Sequence, residues 1–103
     1  MDSIETKAYS IFVSEVKRHI EGLEGLFSRT GANTEAELKE ARISAHRLKG
    51  GAGFFGLTAL GEVAATLEVA IEKYSPSELE KIQNLIKTLH GLTDKMPAPK
   101  ASV

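Results

Sequence analysis

Residues 34–56 read TEAELKEARISAHRLKGGAGFFG, and their pattern is the strongest indication of a helical fold. Thr34 followed by Glu37 is typical of a capping box, in which each side chain bonds the other residue's backbone N–H at the start of a helix. Apolar residues then recur every three or four positions, at Leu38, Ala41, Ala45, Leu48, Ala52 and Phe55. This spacing predicts an amphipathic helix with one face in a core, which Gly56 ends or bends.

Three further segments carry the same helical spacing. The first runs from about Ile4 to Phe27, and the third has an apolar stripe from Leu57 to Tyr74, with Thr58 as its predicted N-cap. The fourth follows Ser75-Pro76-Ser77-Glu78, which is typical of an N-cap with proline at the first helical position. Short connections between helices of similar length favour antiparallel neighbours, so we predict an all-α, antiparallel up-down four-helix bundle.

Length and composition indicate one domain. The chain has 103 residues, of which 42% are hydrophobic, enough for a single core. We expect the bundle to occupy residues 1–93. Residues 94–103, DKMPAPKASV, have no periodicity and are predicted to be a flexible tail or linker.

Charge and cysteine usage exclude several classes of function. Thirteen Lys and Arg residues balance 14 Asp and Glu residues, which argues against a nucleic-acid binder. The sequence has no apolar run of the roughly 20 residues that a membrane span needs. It contains no cysteine, and its N-terminal residues MDSIETK lack a signal-peptide pattern, so we expect a cytoplasmic protein. Its three histidines are widely spaced, and we expect neither a metal site nor a cofactor.

The informative residues surround His46, which falls just beside the apolar stripe of the second helix. Gly50 and Gly53 follow it by one and two turns. Glycine inside a helix lowers helix stability by about 1 kcal/mol relative to alanine. The presence of glycine at these two positions therefore indicates a role other than helix formation. A face without side chains lets a partner's backbone approach closely. We expect Ile43, on the outward side one turn before His46, to supply an apolar contact there.

The charges and chemistry of this helix favour an anionic partner or a covalent phosphoryl group. The stretch 39–49 carries four basic residues against Glu40 alone, namely Lys39, Arg42, Arg47 and Lys49. Lys49 follows His46 by three residues, close enough to lean toward a group on the imidazole. Neutral histidine is nucleophilic and can hold a phosphoryl group. We therefore predict a phosphohistidine carrier, with Arg42, Gly50, Gly53 and Phe54 joining Ile43 in binding the partner.

Simpler interpretations exist for each feature taken alone. A histidine on a helix flank is commonly a solvated surface residue, glycines near a helix end can simply end it, and basic residues often form an ordinary wet face. His19 and His90 lack a glycine face and are expected to be unremarkable, with Gly91 as a C-cap. The residues 51–56 match a dinucleotide-binding pattern, but a helix precedes them where that motif needs a strand.

The run from Ala45 to Gly50, which includes His46 and Lys49, is followed by Gly56, Leu60, Leu67 and Glu68. This pattern resembles the histidine-containing phosphotransfer (HPt) domains of two-component phosphorelays. The resemblance implies a four-helix bundle in which His46 accepts phosphate at Nε2 and Lys49 steadies the phosphoryl group. It also implies that Gly50 and Gly53 clear space for a response-regulator receiver domain.

The motif KGGAGFFG at residues 49–56 is most similar to the phosphoacceptor domains of chemotaxis-type histidine kinases. In that subgroup a glutamate on the next helix bonds the other imidazole nitrogen, and Glu68 stands at the matching position. A second histidine often found three residues earlier is absent, because this chain has Ala65.

The resemblance implies a histidine kinase and a receiver domain as partners. The chain contains no ATP-binding kinase motif, so we expect a phosphoryl carrier that is not an enzyme by itself. We also expect the protein to be a monomer. Two alternatives stay open: a helical module that docks a receiver or a partner helix without phosphorylation, and a purely structural helical domain.

Overall fold

The computed structural model describes the backbone of residues 2–28 and 34–97 and the side chains of 7–28 and 34–97. These ranges hold four α-helices and one 3-10 turn, and no strand: α1 (Asp2–Leu26), α2 (Glu35–Phe54), α3 (Thr58–Glu72), the 3-10 turn (Pro76–Glu78) and α4 (Leu79–Asp94). Each helix packs against the next and α4 also packs against α1, so the four helices form a ring in cross-section. The predicted all-α four-helix bundle is confirmed. Within the described ranges, no helix is both long and apolar enough to cross a membrane.

All four helices contribute to one apolar core, and small residues bring α2 and α3 close together. Ala41, Ala45 and Ala52 on α2 are fully buried. On α3, Gly61 faces this surface, since a Cβ added there would lie 3.5 Å from the Ala52 Cβ. Small side chains at a helix contact reduce the distance between the axes. The α2/α3 seam is therefore tight enough for side chains of one helix to reach those of the other.

The capping box at the start of α2 forms as predicted. The Thr34 backbone N–H donates to Glu37 Oε1 at 2.9 Å, and the Glu37 N–H donates to the Thr34 hydroxyl oxygen at 3.1 Å. Two backbone donors at the helix start are thereby satisfied by local side chains. This start fixes the helical register on which the position of His46 depends.

The end of α2 is a Schellman motif centred on Gly56. Gly56 has φ of 71°. The Leu57 N–H donates to the Ala52 carbonyl at 2.8 Å, and the Gly56 N–H donates to the Gly53 carbonyl at 3.3 Å. Leu57 is at once the last residue of this motif and the N-cap of α3, so the prediction of Thr58 as N-cap was wrong. A leucine side chain has no hydrogen-bond acceptor, so no side chain caps α3 at its N-cap position.

We expect Gly56→Ala to lower the free energy of unfolding by about 1 kcal/mol, because an L side chain is strained at this positive φ. Chemical denaturation of the variant and the wild type measures the difference. Gly22→Ala is the matched control, since Gly22 lies within helix α1 and a Cβ added there would have no neighbour within 4 Å. An unchanged Gly56→Ala variant would contradict this account of the turn.

The start of α4 differs in detail from the expectation. Pro76 begins a 3-10 turn after Ser75, and the α-helix itself starts at Leu79. The Ser75 hydroxyl lies 2.9 Å from the Ser77 hydroxyl and makes no capping hydrogen bond. Ser75 at the N-cap position and Pro76 after it are as predicted, but they begin the 3-10 turn, and the Ser75 side chain makes no capping hydrogen bond. The two serine hydroxyls bond each other instead of the backbone.

The residues after α4 continue along the bundle as far as the structure describes them. Met96 packs against the core, and the Tyr9 hydroxyl donates to the Pro97 carbonyl at 2.6 Å. The first part of the predicted tail is thus attached to α1. The remaining part, residues 98–103, lies outside the described residues, so the domain boundary stays a prediction.

Candidate functional site

His46 stands on the α2/α3 seam with its ring turned outward. Its neighbours Ala45 and Leu48 are fully buried, which fixes the rotation of α2 and places His46 at the edge of the buried face. The side chain is 66% exposed, and its Nδ1 lies 3.1 Å from Glu68 Oε2 on α3. The structure therefore pairs the two residues that the sequence related only through a resemblance.

The Glu68 carboxylate also binds Lys49. Lys49 Nζ lies 3.2 Å from Glu68 Oε1, so the two carboxylate oxygens hold two different α2 side chains. Partial burial of Glu68 opposes its ionisation, but the hydrogen bonds and positive charge of Lys49 and His46 outweigh this effect and hold the pKa of Glu68 below its usual range. Glu68 is therefore ionised at neutral pH, and its carboxylate can only accept hydrogen bonds.

This arrangement selects one tautomer of the His46 imidazole. An ionised carboxylate only accepts hydrogen bonds, so Nδ1 must carry the proton that it donates to Glu68. In the neutral ring the lone pair then resides on Nε2, the nitrogen away from Glu68. A side chain that is 66% exposed and held in this way can attack an electrophile brought to it from solvent.

Two glycines leave the surface beside His46 bare. A Cβ added at Gly50 or Gly53 would meet nothing within 4 Å, so no packing contact explains either residue. Gly51 differs, because a Cβ there would overlap the Phe12 ring. Phe12 is buried and stacks on Phe55 with the ring centroids 5.1 Å apart. Gly51 thus serves packing, whereas Gly50 and Gly53 open a surface.

Exposed apolar side chains lie on both sides of this bare surface along α2. Ile43 is 43% exposed and Phe54 is 79% exposed, although both are large apolar residues. Positions 43, 50 and 54 are spaced to share the outward face of the helix. Arg42, one turn before His46, is half-buried. The structure therefore places the residues of the predicted partner-binding surface on or beside one continuous helix face.

Sequence reasoning missed two features near the histidines. Lys49 was expected to lean toward a group on the imidazole, yet in the structure it binds the carboxylate that holds the imidazole. His90 was expected to be unremarkable, but its Nδ1 lies 3.0 Å from Glu24 Oε2. The C-cap prediction for Gly91 was wrong, because α4 continues to Asp94. The sequence of α1 and α4 could not indicate the His90–Glu24 pair. Whether these two side chains meet depends on how the two helices are rotated against each other, which is set by the packing of the core.

The remaining site expectations concern His19, Ala65 and metals. His19 is partly buried, its Nδ1 lies 3.2 Å from the Ser44 hydroxyl, and burial lowers its pKa. Ala65 stands where the chemotaxis-type pattern often has a second histidine, and Glu68 reaches His46 without one. Among the described residues, no group of three or more His, Cys, Asp or Glu side chains is arranged to hold a metal ion.

The fold and site together define a helical bundle with an exposed, carboxylate-held histidine on one seam. Residues 7–92 match the family model of the Hpt domain, so the chain belongs to the Hpt domain family. Hpt domains carry phosphoryl groups on histidine in two-component phosphorelays and have no kinase activity of their own. No match to a curated protein or to a solved structure was found.

Proposed function

We propose that this protein is a phosphorelay intermediate in which His46 Nε2 accepts a phosphoryl group and returns it to a receiver aspartate. The observation that carries the proposal is the hydrogen bond of 3.1 Å between His46 Nδ1 and Glu68, which places the lone pair of the neutral ring on Nε2 of an exposed side chain. When a receiver aspartyl phosphate is the donor, the Nε2 lone pair attacks phosphorus, the bond from phosphorus to the carboxylate oxygen breaks, and the aspartate leaves as a carboxylate. Transfer to a receiver is the reverse of this step.

The chain's own residues contribute positioning and charge to this step. Glu68 fixes the tautomer and orientation of the imidazole and accepts the Nδ1 hydrogen bond, which stabilises positive charge on the ring as Nε2 bonds phosphorus. Lys49 supplies a positive charge beside the site that can follow the incoming phosphoryl oxygens. Phosphoryl transfer depends mainly on such positioning and electrostatics, and the receiver is expected to supply the remaining groups. His46, Lys49 and Glu68 come from a single chain, so a monomer is sufficient.

The docking surface in this proposal is the outward face of α2. Gly50 and Gly53 allow the rim of the receiver's active site to approach His46, while Ile43 and Phe54 bury apolar area against it. Arg42 and Lys49 add positive charge toward an acidic receiver pocket. The same surface supports the alternative of docking without phosphorylation, for which the Nδ1 hydrogen bond to Glu68 has no role.

The test is to incubate the protein with a phosphorylated receiver or a cognate kinase and to recover the product. We expect phosphate that is labile in acid, stable in base and located on His46 by peptide mapping. A receiver that binds tightly but leaves no such phosphate would support the docking alternative. Phosphate found on another residue would overturn the assignment of His46.

A carboxylate-specific role predicts that Glu68→Gln slows transfer to His46 by about tenfold, the scale of one hydrogen bond to a charged group. The amide of glutamine no longer requires the proton to stay on Nδ1.

Lys49→Ala should also slow transfer or shorten the lifetime of the phosphohistidine without unfolding the domain. Single-turnover transfer from the phosphorylated receiver measures both effects, with Glu62→Gln as an exposed control on α3. Wild-type rates in both variants would leave the carboxylate and ammonium without a role.

A further inference from the structure

A second histidine–carboxylate pair lies on the opposite seam of the bundle. His90 on α4 is 54% exposed, and its Nδ1 lies 3.0 Å from Glu24 Oε2 on α1. The corresponding values for His46 and Glu68 are 66% and 3.1 Å. Because the helices pack in ring order, the α1/α4 seam faces away from the α2/α3 seam. The bundle thus carries an exposed histidine with a glutamate at its Nδ1 on two separate surfaces, although the Glu24 side chain is 43% exposed and that of Glu68 only 16%.

An open groove with one basic lining residue lies beside His90. Lys87, one helical turn before His90, lines the same open groove between α1 and α4 and adds a positive charge to it. The groove has a volume of about 540 Å³, with Phe27 and Ile86 among its lining residues. A small phosphoryl donor can therefore reach the imidazole from solvent.

The Glu24 contact selects the tautomer of His90 in the same way as Glu68 does for His46. The carboxylate accepts the Nδ1 proton, and the lone pair of the neutral ring resides on Nε2. His19 is the internal contrast, since its ring is partly buried and its Nδ1 faces the Ser44 hydroxyl. A hydroxyl can donate or accept, so it does not fix the tautomer.

We propose that His90 is a second phosphoryl-accepting histidine, which reacts with small N-phosphoryl donors rather than with a receiver docked on α2. With phosphoramidate as donor, the His90 Nε2 lone pair attacks phosphorus, the phosphorus–nitrogen bond of the donor breaks, and its nitrogen leaves as ammonia. The Nδ1 proton stays in the hydrogen bond with Glu24 or passes to solvent. The proposal does not depend on the function assigned to His46.

The experiment treats the His46→Gln protein with phosphoramidate and maps the phosphate by peptide analysis under basic conditions. We expect phosphohistidine at His90, with phosphorus on Nε2 by ³¹P NMR, and none at His19. The wild-type protein should carry phosphate at both His46 and His90, which shows that the donor is active. The double variant His46→Gln/His90→Gln should carry none.

A role for the carboxylate is tested in the same His46→Gln background. Glu24→Gln should reduce the rate of His90 labelling by about tenfold, whereas Glu21→Gln, an exposed control on the same helix, should leave it unchanged. Absence of phosphate at His90 while free imidazole is phosphorylated in the same tube would overturn the proposal. Equal labelling of His19 and His90, or attachment at Nδ1, would also overturn it. A failure of receiver-dependent transfer to His46 would instead concern the proposed relay function.

Discussion

Replacing His46 by glutamine is expected to reduce receiver-dependent phosphate acceptance below detection while the domain stays folded. Glutamine has no nucleophilic ring nitrogen, so no N–P bond can form at this position. The imidazole is 66% exposed, and Glu68 keeps its ion pair with Lys49, so little native packing is lost. Exposed substitutions usually change stability by less than about 0.5 kcal/mol, which predicts a shift in melting temperature of about 3 °C or less.

Transfer from a phosphorylated receiver and thermal unfolding by circular dichroism are measured on the same sample. His90→Gln is the matched control, because it removes another exposed histidine with a carboxylate partner and should keep receiver-dependent transfer. Retained transfer in His46→Gln would overturn the assignment of the phosphoacceptor. A large loss of stability would show that His46 serves the fold.

The glycines of α2 provide the second large effect, because neighbouring positions should respond in opposite ways. Alanine at Gly50 or Gly53 meets nothing within 4 Å and should raise helix stability by up to about 1 kcal/mol. The added side chain should nevertheless slow transfer, since it stands where the receiver approaches. Gly53→Glu should slow transfer further, because it adds bulk and negative charge facing an acidic pocket.

Gly51→Ala is the contrasting variant on the same helix. Its Cβ would overlap the buried Phe12 ring, which stacks on Phe55 and cannot move freely. Overpacking of this kind costs about 1–3 kcal/mol, so we expect a lower melting temperature with a normal transfer rate per folded molecule. Melting temperature and single-turnover rate are compared across the four variants. Destabilisation at Gly50 and Gly53 with normal transfer would remove the support for a docking surface.

Features that depend on residues close together in the chain could be predicted, whereas those that depend on contacts between helices could not. The capping box at Thr34 and the apolar stripe of α2 were predicted correctly, because both depend on residues within a few positions of one another. The N-cap of α3 was predicted wrongly. Leu57 both ends the Schellman motif of α2 and caps α3, and the sequence did not show that the turn between the two helices is so short. The resemblance suggested Glu68 as the partner of His46, but it did not indicate that Lys49 binds the same carboxylate.

The amino-acid sequence alone was enough to predict the helical periodicity, the exposed position of His46 and the residue types around it. These follow from a period of 3.6 residues and from the chemistry of single side chains. The packing of the helices in three dimensions established which carboxylate bonds each histidine, and why Gly51 contacts the core while Gly50 and Gly53 face open space. Such contacts depend on the rotation and axial register of each helix against its neighbours. Those quantities come from the packing of the whole core, because the periodicity of one helix defines its buried face but not what lies opposite it.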